Sequence, residues 1–554
     1  MKNLNHLIGI FCVASSLTAC SYLDFDQSVG REKEDAYSTF ENVRSIVSNI
    51  YSYLPQDFGV IGNALREAAT DNATYVWNTS AVYKMYENKW AATNTIDDVW
   101  GNMYTGIRAA NSFLETYNED FLKRYENDDN YQEEIQKFRM YPYEVRTLRA
   151  FYYFELAKRY GDVPLITRTL SLDEANKQVR TSFQDVINFI VEECSETAQY
   201  LPVNHADFFL ETGRVTKGMA LALKSRALLY AASPLHNPTG EKTLWRRAAE
   251  AAKEVMDMNV YSLPNINADP LYNRNGGHEV LKSAQLIFER RNGDSDSFER
   301  NNLPIGYEGG NSGNTPTQNL VDAYEMADGT PFDWNNPEHV KHPFENGSKK
   351  TRDPRLYKTI VYDGCTLMDE TVEIAEGGKN AQPLEGATET GYYLRKYINE
   401  TVSLDPTNNQ KKPHHYILFR YAEILLNYAE AMNELVGPDG TDGEILNMTA
   451  REVLNQVRKA ANMPDVEDVG DDFTVRLRNE RRVELAFEDH RFWDIRRWKM
   501  GEVVKDIYGA HVSKNGNYTR ELIQNRIWDD KMYLYPISQG ERYKNPGLTQ
   551  NPGW

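Results

Sequence analysis

Apolar residues recur every three or four positions along most of this chain, and that spacing predicts amphipathic α-helices. The clearest apolar stripe runs through residues 143–160 and is followed by Gly161 and Pro164, two residue types that end helices. Comparable stripes predict helices over residues 34–54, 95–125, 182–200, 217–232, 243–258, 416–435, 449–461 and 474–499. The sequence shows no regular repeat period, yet so many adjacent amphipathic helices indicate antiparallel helix pairs of the tetratricopeptide type.

Glycine, asparagine, aspartate and proline become frequent between residues 264 and 413, for example in Asn292-Gly293-Asp294. Short β-like runs interrupt this region at residues 285–288, 357–362 and 392–398. We expect long loops with small sheets here, and long irregular segments in a compact protein are often functional. The body, residues 34–554, then consists of an N-terminal helical half (34–263), this loop-rich insert (264–413) and C-terminal helices with a tail (414–554).

The N-terminal residues have the pattern of a bacterial lipoprotein signal. Lys2 precedes an apolar run, residues 7–17, which is shorter than the about 20 residues that a membrane span needs. The run ends in Leu17-Thr18-Ala19-Cys20, a small-residue cleavage site followed by a cysteine. We therefore expect residues 1–19 to be removed, Cys20 to carry lipid and residues 20–33 to form a polar tether. The alternative is an ordinary signal peptide with a chance cysteine.

Composition narrows the classes of function. The 554 residues carry a net charge of −19, and an acidic surface repels phosphate, so nucleic-acid binding is not expected. No apolar run after Leu17 is long enough to cross a membrane, so attachment to the membrane would be through the lipid alone. Beyond Cys12 and Cys20, only Cys194 and Cys365 remain, and two buried free thiols are expected rather than a single bridge.

Several segments share their order along the chain with one known family. They are 20–24, 100–111, 146–165, 214–227, Phe419-Arg-Tyr-Ala-Glu-Ile-Leu-Leu-Asn-Tyr-Ala-Glu-Ala431, Arg478-Asn-Glu-Arg-Arg-Val-Glu-Leu-Ala-Phe-Glu488, Arg491-Phe-Trp-Asp-Ile-Arg-Arg-Trp498 and Gln550-Asn-Pro-Gly-Trp554. Together they resemble the SusD/RagB family of outer-membrane lipoproteins from Bacteroidetes-type bacteria. The resemblance covers nearly the whole chain after residue 19.

This resemblance has specific implications for the fold, the location and the function of the protein. Members of the family are α-helical, with four tetratricopeptide-like helix pairs that scaffold a loop-rich binding region. They are lipid-anchored on the exposed face of the outer membrane and cap a SusC-like TonB-dependent transporter. They capture nutrients, mostly oligosaccharides, and are not enzymes, while the RagB branch is associated with peptides.

Two clusters in predicted loops have the residue types that a sugar site needs, since Tyr and Trp offer both a flat apolar face and a polar group. The first cluster mixes aromatic with hydrogen-bonding residues, and the resemblance implies that it lies in the family's first ligand-proximal loop. The second lies in the insert, where the family often places other binding aromatics. The predicted ligand-binding residues are Arg66, Asp71, Asn72, Tyr75 and Trp77 from the first cluster, and Tyr307 and Trp334 from the second.

The charged segment 478–499 allows an enzymatic interpretation as well. Its Glu484, Glu488, His490 and Asp494 are acid–base groups or metal ligands in principle, and His490 and Asp494 lie one helical turn apart. We favour an internal ion-pair network instead, because the same segment supplies arginines that suit bidentate pairing with carboxylates. The sequence contains no Gly-x-Ser-x-Gly, His-Glu-x-x-His or phosphate-binding glycine loop, and we expect no catalytic residue, metal or cofactor.

The main hypothesis is therefore a surface lipoprotein that binds oligosaccharides and passes them to a SusC-like TonB-dependent transporter. A peptide-binding lid of the RagB type is a variant that the sequence does not separate from it. Two competing hypotheses are a lipid-anchored glycoside hydrolase and a helical scaffold that binds only protein.

Overall fold

Helices dominate the part of the chain that the computed structural model describes, which is residues 37–204, 212–274 and 276–554. Its long helices are α1 (Phe40–Tyr51), α2 (Trp100–Thr116), α3 (Tyr131–Tyr160), α4 (Phe183–Thr197), α5 (Lys217–Ala232), α6 (Lys242–Met256), α7 (Tyr421–Val436), α8 (Ala450–Ala460) and α9 (Gly470–Glu484). Shorter helices are Tyr83–Tyr86, Leu172–Ala175, Ser297–Asn302, Gln318–Ala323, Pro337–Lys341, Leu356–Thr359, Arg491–Arg497 and Gln539–Lys544. The predicted signal peptide, Cys20 and the tether lie outside the described residues.

Helices that follow one another in the chain also pack on one another. From α2 to α8, each helix contacts the next one. Helix α5 also contacts α3 and α7, and it is buried on nearly every side. This arrangement confirms the predicted scaffold of adjacent helix pairs, in which each helix buries its apolar stripe against its neighbours.

The strands form small antiparallel two-stranded sheets. The pairs are β1 (Ala73–Tyr75) with β4 (Asn314–Pro316), β2 (Leu286–Arg290) with β12 (Tyr416–Arg420), β3 (Asp294–Ser295) with β11 (Lys412–Pro413), β5 (Glu345–Asn346) with β6 (Lys349–Lys350), β7 (Ile360–Val361) with β10 (Tyr393–Leu394), β8 (Thr366–Leu367) with β9 (Glu370–Thr371), and β13 (Asp506–Val512) with β14 (Tyr518–Asn525). Most of these strands lie in or beside the loop-rich insert, as predicted. The insert packs with parts of the C-terminal region around a second hydrophobic cluster, which includes Leu320, Leu356, Tyr393, Phe487 and Val512.

Three predicted helices differ clearly from the structure. The helix predicted over residues 416–435 begins only at Tyr421, because residues 416–420 form β12. Helix α3 begins at Tyr131 and continues through Pro142, instead of starting at residue 143. The predicted helix 474–499 is two helices, because Phe487 and Asp489 adopt a positive φ of 62° and 61°. The backbone N–H of Phe487 donates to Glu67 Oε1 (3.2 Å), so a distant segment holds this break.

The predicted ion-pair network is present, and most of its members are buried. Arg420 donates from Nε to Glu488 Oε2 (2.6 Å) and from Nη1 to Glu484 Oε1 (2.7 Å). Burial opposes the ionisation of Glu484, but the guanidinium groups of Arg420 and Arg355 outweigh it and lower its pKa to about 2. Asp494 is held by Arg481 (2.9 Å) and Arg497 (2.7 Å), so it pairs with arginines as the network predicts.

The two described cysteines are unbridged, and the C-terminal tail packs on the body. Cys194 and Cys365 are both free thiols, although only Cys194 is fully buried. The tail packs on the body, since Trp554 Nε1 donates to the carbonyl oxygens of Lys531 and Leu534 (both 2.9 Å). None of the described helices has both the length and the apolarity that a bilayer crossing requires.

Replacing Arg420 with Met tests the importance of the network. The substitution leaves Glu484 and Glu488 partly uncompensated in the interior, so we expect the free energy of unfolding to fall by about 3–5 kcal/mol. Chemical denaturation measures the change. The control is Arg139→Gln, which breaks a surface pair with Glu119 and is expected to cost about 0–1 kcal/mol. Equal effects of the two substitutions would contradict the argument.

Candidate functional site

The short sheet β1–β4 brings together the two regions that the sequence singled out. Its register places Tyr75 opposite Asn314, and the backbone N–H of Val76 donates to the Gly313 carbonyl (2.9 Å). The segment with Tyr75 and Trp77 therefore lies directly against the glycine-rich loop of the insert, although more than 230 residues separate them in the chain.

Trp77 is held in place at the edge of this loop. Its indole Nε1–H donates to the Asn311 carbonyl (2.8 Å), and the ring is half-buried. One edge of the ring touches Gly386, where an added Cβ would lie only 2.8 Å from Trp77 Cζ2. The loop around residue 386 thus fixes the position of the indole from one side.

Tyr75 supports the same region from below the surface. Its hydroxyl donates to Asn301 Oδ1 (2.9 Å), and Asn301 Nδ2 donates to the Asn63 carbonyl (2.7 Å). Burial raises the pKa of Tyr75 to about 12, so the phenol stays neutral near pH 7. Tyr75 therefore connects β1 to two loops that border an open cleft.

This cleft has a volume of about 920 Å³. Three loops (56–63, 292–301 and 309–311) and His414 form its walls. Its polar lining consists of Gln56, Asn63, Asn292, Asp294, Ser295, Ser297, Arg300, Asn301, Asn311 and His414. Only two aromatic side chains, Phe58 and Phe298, are among the residues that line it. Its size and its many hydrogen-bonding groups make it the best candidate for a ligand site in the described structure.

Aromatic packing and amide hydrogen bonds keep the walls of the cleft in place. Phe58 packs edge-on against Phe298, Tyr397 and Tyr416, with ring centroids 5.0–5.1 Å apart. Asn292 Nδ2 donates both to Gln56 Oε1 and to the His414 carbonyl (2.8 Å each), which joins three walls. The cleft is therefore largely preformed.

Glycine is required in the loop that lies under Trp77. Gly313 has a φ of +40°, and an added Cβ would lie 2.2 Å from the Asn301 carbonyl oxygen. A Cβ added at Gly310 would lie 2.6 Å from the Pro304 carbonyl oxygen. The glycine-rich sequence that predicted a functional loop thus serves a close approach of backbone segments at the cleft.

Donors and acceptors are mixed around the cleft. Arg300 pairs with Asp296 (3.0 Å), and its guanidinium side chain is 51% exposed. Hydrogen bonds from Asn409 and then Arg300 lower the pKa of Asp296, which therefore stays ionised. Such a combination of amides, hydroxyls, a carboxylate and a guanidinium suits a ligand rich in hydroxyl groups. Among the described residues, no group of three or more His, Cys, Asp or Glu side chains is arranged to hold a metal ion.

Arg66, Asp71 and Asn72 are placed differently from the prediction. All three are at most 3% exposed. Arg66 pairs with Asp57, Asp97 and Asp489, whereas Asp71 pairs with Arg482 (2.9 Å) and Arg491 (2.8 Å), and Asn72 accepts from Arg482. Their burial argues against direct contact with a ligand. These residues instead position β1 and the loop that precedes it.

Tyr307 and Trp334 do not line the cleft. The Tyr307 hydroxyl donates to the Leu367 carbonyl (3.1 Å), and the residue is 8% exposed. Trp334 is half-buried, donates to Asp322 Oδ1 (3.0 Å) and packs on Phe332. Of the seven predicted residues, only Trp77 and Tyr75 adjoin the cleft, and the ligand role of the others stays a prediction without a geometric argument.

Sequence analysis missed the polar residues that form most of the cleft, such as Gln56, Asn63, Arg300 and Asn301. These are common surface residue types, and their types do not distinguish them from other loop residues. The local signals near them were the turn-forming Asn292-Gly293-Asp294 and the glycine-rich segment 309–314. The amide side chain of Asn292 is a structural link between the walls.

Substituting Gly386 with Ala tests how firmly Trp77 is held. The new methyl group would overlap the indole and also strain a residue with a φ of +80°, so we expect a loss of stability. Gly377→Ala is the matched control, because its φ is +90° and no atom lies within 4 Å of the added Cβ. Chemical denaturation should show that Gly386→Ala costs about 1–3 kcal/mol more than the control. Equal costs would show that the indole moves freely.

Comparisons with known proteins agree with this architecture. The SusD family model matches residues 284–554, and a SusD-like model described as starch-binding associating with outer membrane matches residues 22–229. SusD-like protein P38 of Formosa agariphila is 26% identical over 74% of this chain and 73% of its own length. A SusD-like protein from Bacteroides fragilis superposes with a TM-score of 0.78 (27% identity, 94% of this chain and 98% of that chain). A SusD-like carbohydrate binding protein from the same organism superposes with a TM-score of 0.73 and 27% identity, over 93% of this chain and 99% of that chain. The chain therefore belongs to the SusD/RagB family.

Proposed function

We propose that this protein is a cell-surface lipoprotein that binds oligosaccharides in the cleft and delivers them to a SusC-like TonB-dependent transporter. The observation that carries the proposal is the cleft of about 920 Å³, with its ring of amide, hydroxyl and charged side chains. The half-buried indole of Trp77 lies beside it and is hydrogen-bonded to the cleft residue Asn311.

This chemistry fits a sugar better than an apolar ligand. A sugar ring presents C–H groups on one face, which pack on an aromatic ring, and hydroxyl groups at its edge, which need both donors and acceptors. The cleft offers both kinds of partner from three separate loops. Because the cleft is open, one sugar unit would bind weakly, and affinity would come from several units that span it.

The relatives support a binding role. One solved structure with 27% identity is named as a carbohydrate binding protein, and the model that matches the N-terminal half is named for starch binding and outer-membrane association. The carboxylates that suggested an enzyme are engaged elsewhere, since Glu484 and Glu488 are buried in ion pairs with Arg420. We infer that the protein does not catalyse a reaction on its ligand.

A peptide-binding lid, a glycoside hydrolase and a scaffold for protein alone are the competing functions. Each predicts a different outcome when the soluble protein, starting at residue 21, is titrated with oligosaccharides and peptides. Binding of an intact glycan supports our proposal. Binding of peptides alone indicates the RagB-like function, cleavage products indicate an enzyme, and no binding indicates a scaffold.

Trp77→Ala tests the location of the glycan site. Stacking on an indole buries apolar surface that alanine cannot cover, so we expect about a tenfold or greater loss of affinity for a glycan that the wild type binds, as measured by calorimetry. Tyr543→Ala is the control, because Tyr543 is a 76% exposed aromatic residue on the helix Gln539–Lys544. Wild-type affinity in Trp77→Ala would exclude our site. Trp334→Ala, measured alongside, tests whether the ligand extends to that residue.

Cys20→Ala tests the membrane anchor. Lipid is attached through the thiol, so we expect the full-length wild type to incorporate labelled palmitate and to fractionate with the outer membrane, and the variant to do neither. Cys12→Ala lies within the apolar run and keeps Cys20, so it should behave as the wild type. Outer-membrane attachment of Cys20→Ala would rule out the lipid anchor.

A further inference from the structure

A second, smaller cavity lies on the other side of His414. Its volume is about 70 Å³, and His414 lines both this cavity and the cleft. The segments 271–274, 276–280, 395–399 and 413–417 contribute to its walls, together with Lys358. The cavity is several times larger than the about 10–15 Å³ that one water molecule needs, so a small polyatomic group fits inside.

The charge around this cavity is unusual for an acidic protein. Arg274, Lys358, Arg395 and Lys396 line it, and no Asp or Glu is among its described lining residues, although the whole chain has a net charge of −19. Lys396 is neutralised by Glu488. The nearby charges are then Arg274, Lys358 and Arg395 on the lining, and the buried carboxylate of Glu299 behind it, which bonds to the Asn399 N–H and the His414 ring (2.8 Å each).

Among these three cations, only Arg395 and Arg274 have a carboxylate partner in the described part of the chain, and it is the same one. Glu400 pairs with Arg395 (2.8 Å) and more distantly with Arg274 (3.7 Å). Lys358 has no carboxylate within ion-pair distance among the described residues. Burial is the main cause that lowers the pKa of Lys358, and repulsion from Arg274 and then Arg395 adds to it. An anion in the cavity would remove this repulsion.

A buried hydrogen-bond donor faces the same cavity. Asn399 is 1% exposed, and its Oδ1 accepts from the backbone N–H (3.0 Å) and the hydroxyl (2.6 Å) of Thr401. Its Nδ2 has no partner in the described structure, which is a costly state for a buried amide. The nitrogen points toward Gly276 and Gly277, where an added Cβ would lie 3.2 Å and 3.9 Å away. These glycines thus leave room in front of the donor.

We propose that this cavity binds a small oxyanion, with Asn399 Nδ2 as a hydrogen-bond donor and with Lys358 and Arg274 supplying the charge. Two sources offer this chemistry, the carboxylate of an acidic sugar and free inorganic sulfate or phosphate. The site is distinct from the cleft and does not rest on glycan binding there. His414 separates the two, so an acidic sugar in this cavity would lie beside the ligand in the cleft.

Calorimetry on the soluble protein, starting at residue 21, tests the proposal directly. The titrants are sodium sulfate, sodium phosphate and sodium glucuronate, with glucose as the neutral control and sodium chloride as the control for ionic strength. We expect saturable binding of at least one oxyanion and none of glucose or chloride. Binding of glucuronate alone identifies an acidic sugar as the ligand, whereas binding of sulfate or phosphate identifies a general oxyanion site.

Two variants locate the binding. Lys358→Gln removes the unpaired charge, and Asn399→Asp keeps the acceptor for Thr401 while it replaces the donor with an acceptor. We expect each to weaken oxyanion binding at least tenfold. Lys514→Gln removes the same charge from the exposed turn between β13 and β14 and should have no effect. If Asn399→Asp does not fold, Lys358→Gln decides alone, because Lys358 is partly exposed and makes no ion pair within the described structure.

Three outcomes would overturn the proposal. They are the absence of saturable binding for every oxyanion, wild-type affinity in both variants, and an equal loss in Lys514→Gln, which would indicate general charge attraction. The Trp77→Ala titration, carried out with a neutral glycan that the wild type binds, reports only on the cleft. Failure of one proposal is therefore distinguishable from failure of the other.

Discussion

A single buried segment, residues 484–491, joins all parts of this structure through charge. Glu484 and Glu488 bind Arg420 at the start of α7, and Glu484 also binds Arg355 in the loop-rich insert. Asp489 pairs with Arg66, which precedes β1. Because these groups are largely removed from water, each charge needs its partner. Removal of one side chain would leave its partners as uncompensated buried charges. The helical scaffold and the loops therefore hold one another in fixed positions.

The same ion pairs position the walls of the candidate cleft. Arg66 binds Asp57, the residue before Phe58, so the network positions a wall of the cleft from beneath it. On the opposite side, fully buried Glu299 accepts from the Asn399 backbone N–H and bonds to the His414 ring (2.8 Å each). Glu299 and His414 thus lie between the cleft and the smaller cationic cavity. Both candidate sites are therefore bordered by segments that buried ion pairs and hydrogen bonds hold in position.

Periodicity predicted the helices well where one face of a helix packs on a neighbour. The helix predicted over residues 217–232 has those bounds in the structure, as α5. Prediction failed where distant contacts override local preference. The predicted helix 474–499 is interrupted at Phe487, whose N–H donates to Glu67, and the next residue, Glu488, pairs with Arg420. Pro142 lies inside α3, where the sequence predicted that the helix had not yet begun.

At the candidate site, too, the sequence identified residue types correctly but not their surroundings. Residue type and loop context predicted Trp77 as a ligand-binding residue. The structure places its indole next to the cleft residue Asn311, and its role in binding stays a prediction. The same reasoning selected Arg66 and Asp71, whose charges are used inside the protein. A sequence shows that a residue is charged but not whether water or another charge surrounds it. That depends on segments hundreds of positions away, such as Arg491 for Asp71.

By itself, the sequence determined the mainly helical scaffold, the loop-rich insert with its small sheets and the membership of the SusD/RagB family. These follow from local spacing, composition and ordered motifs, which are properties of neighbouring residues. Only the tertiary structure decided which polar side chains form the cleft, which are consumed in buried pairs and where unpaired positive charge remains. The reason is physical, since burial and long-range charge pairing arise only when distant segments exclude water together.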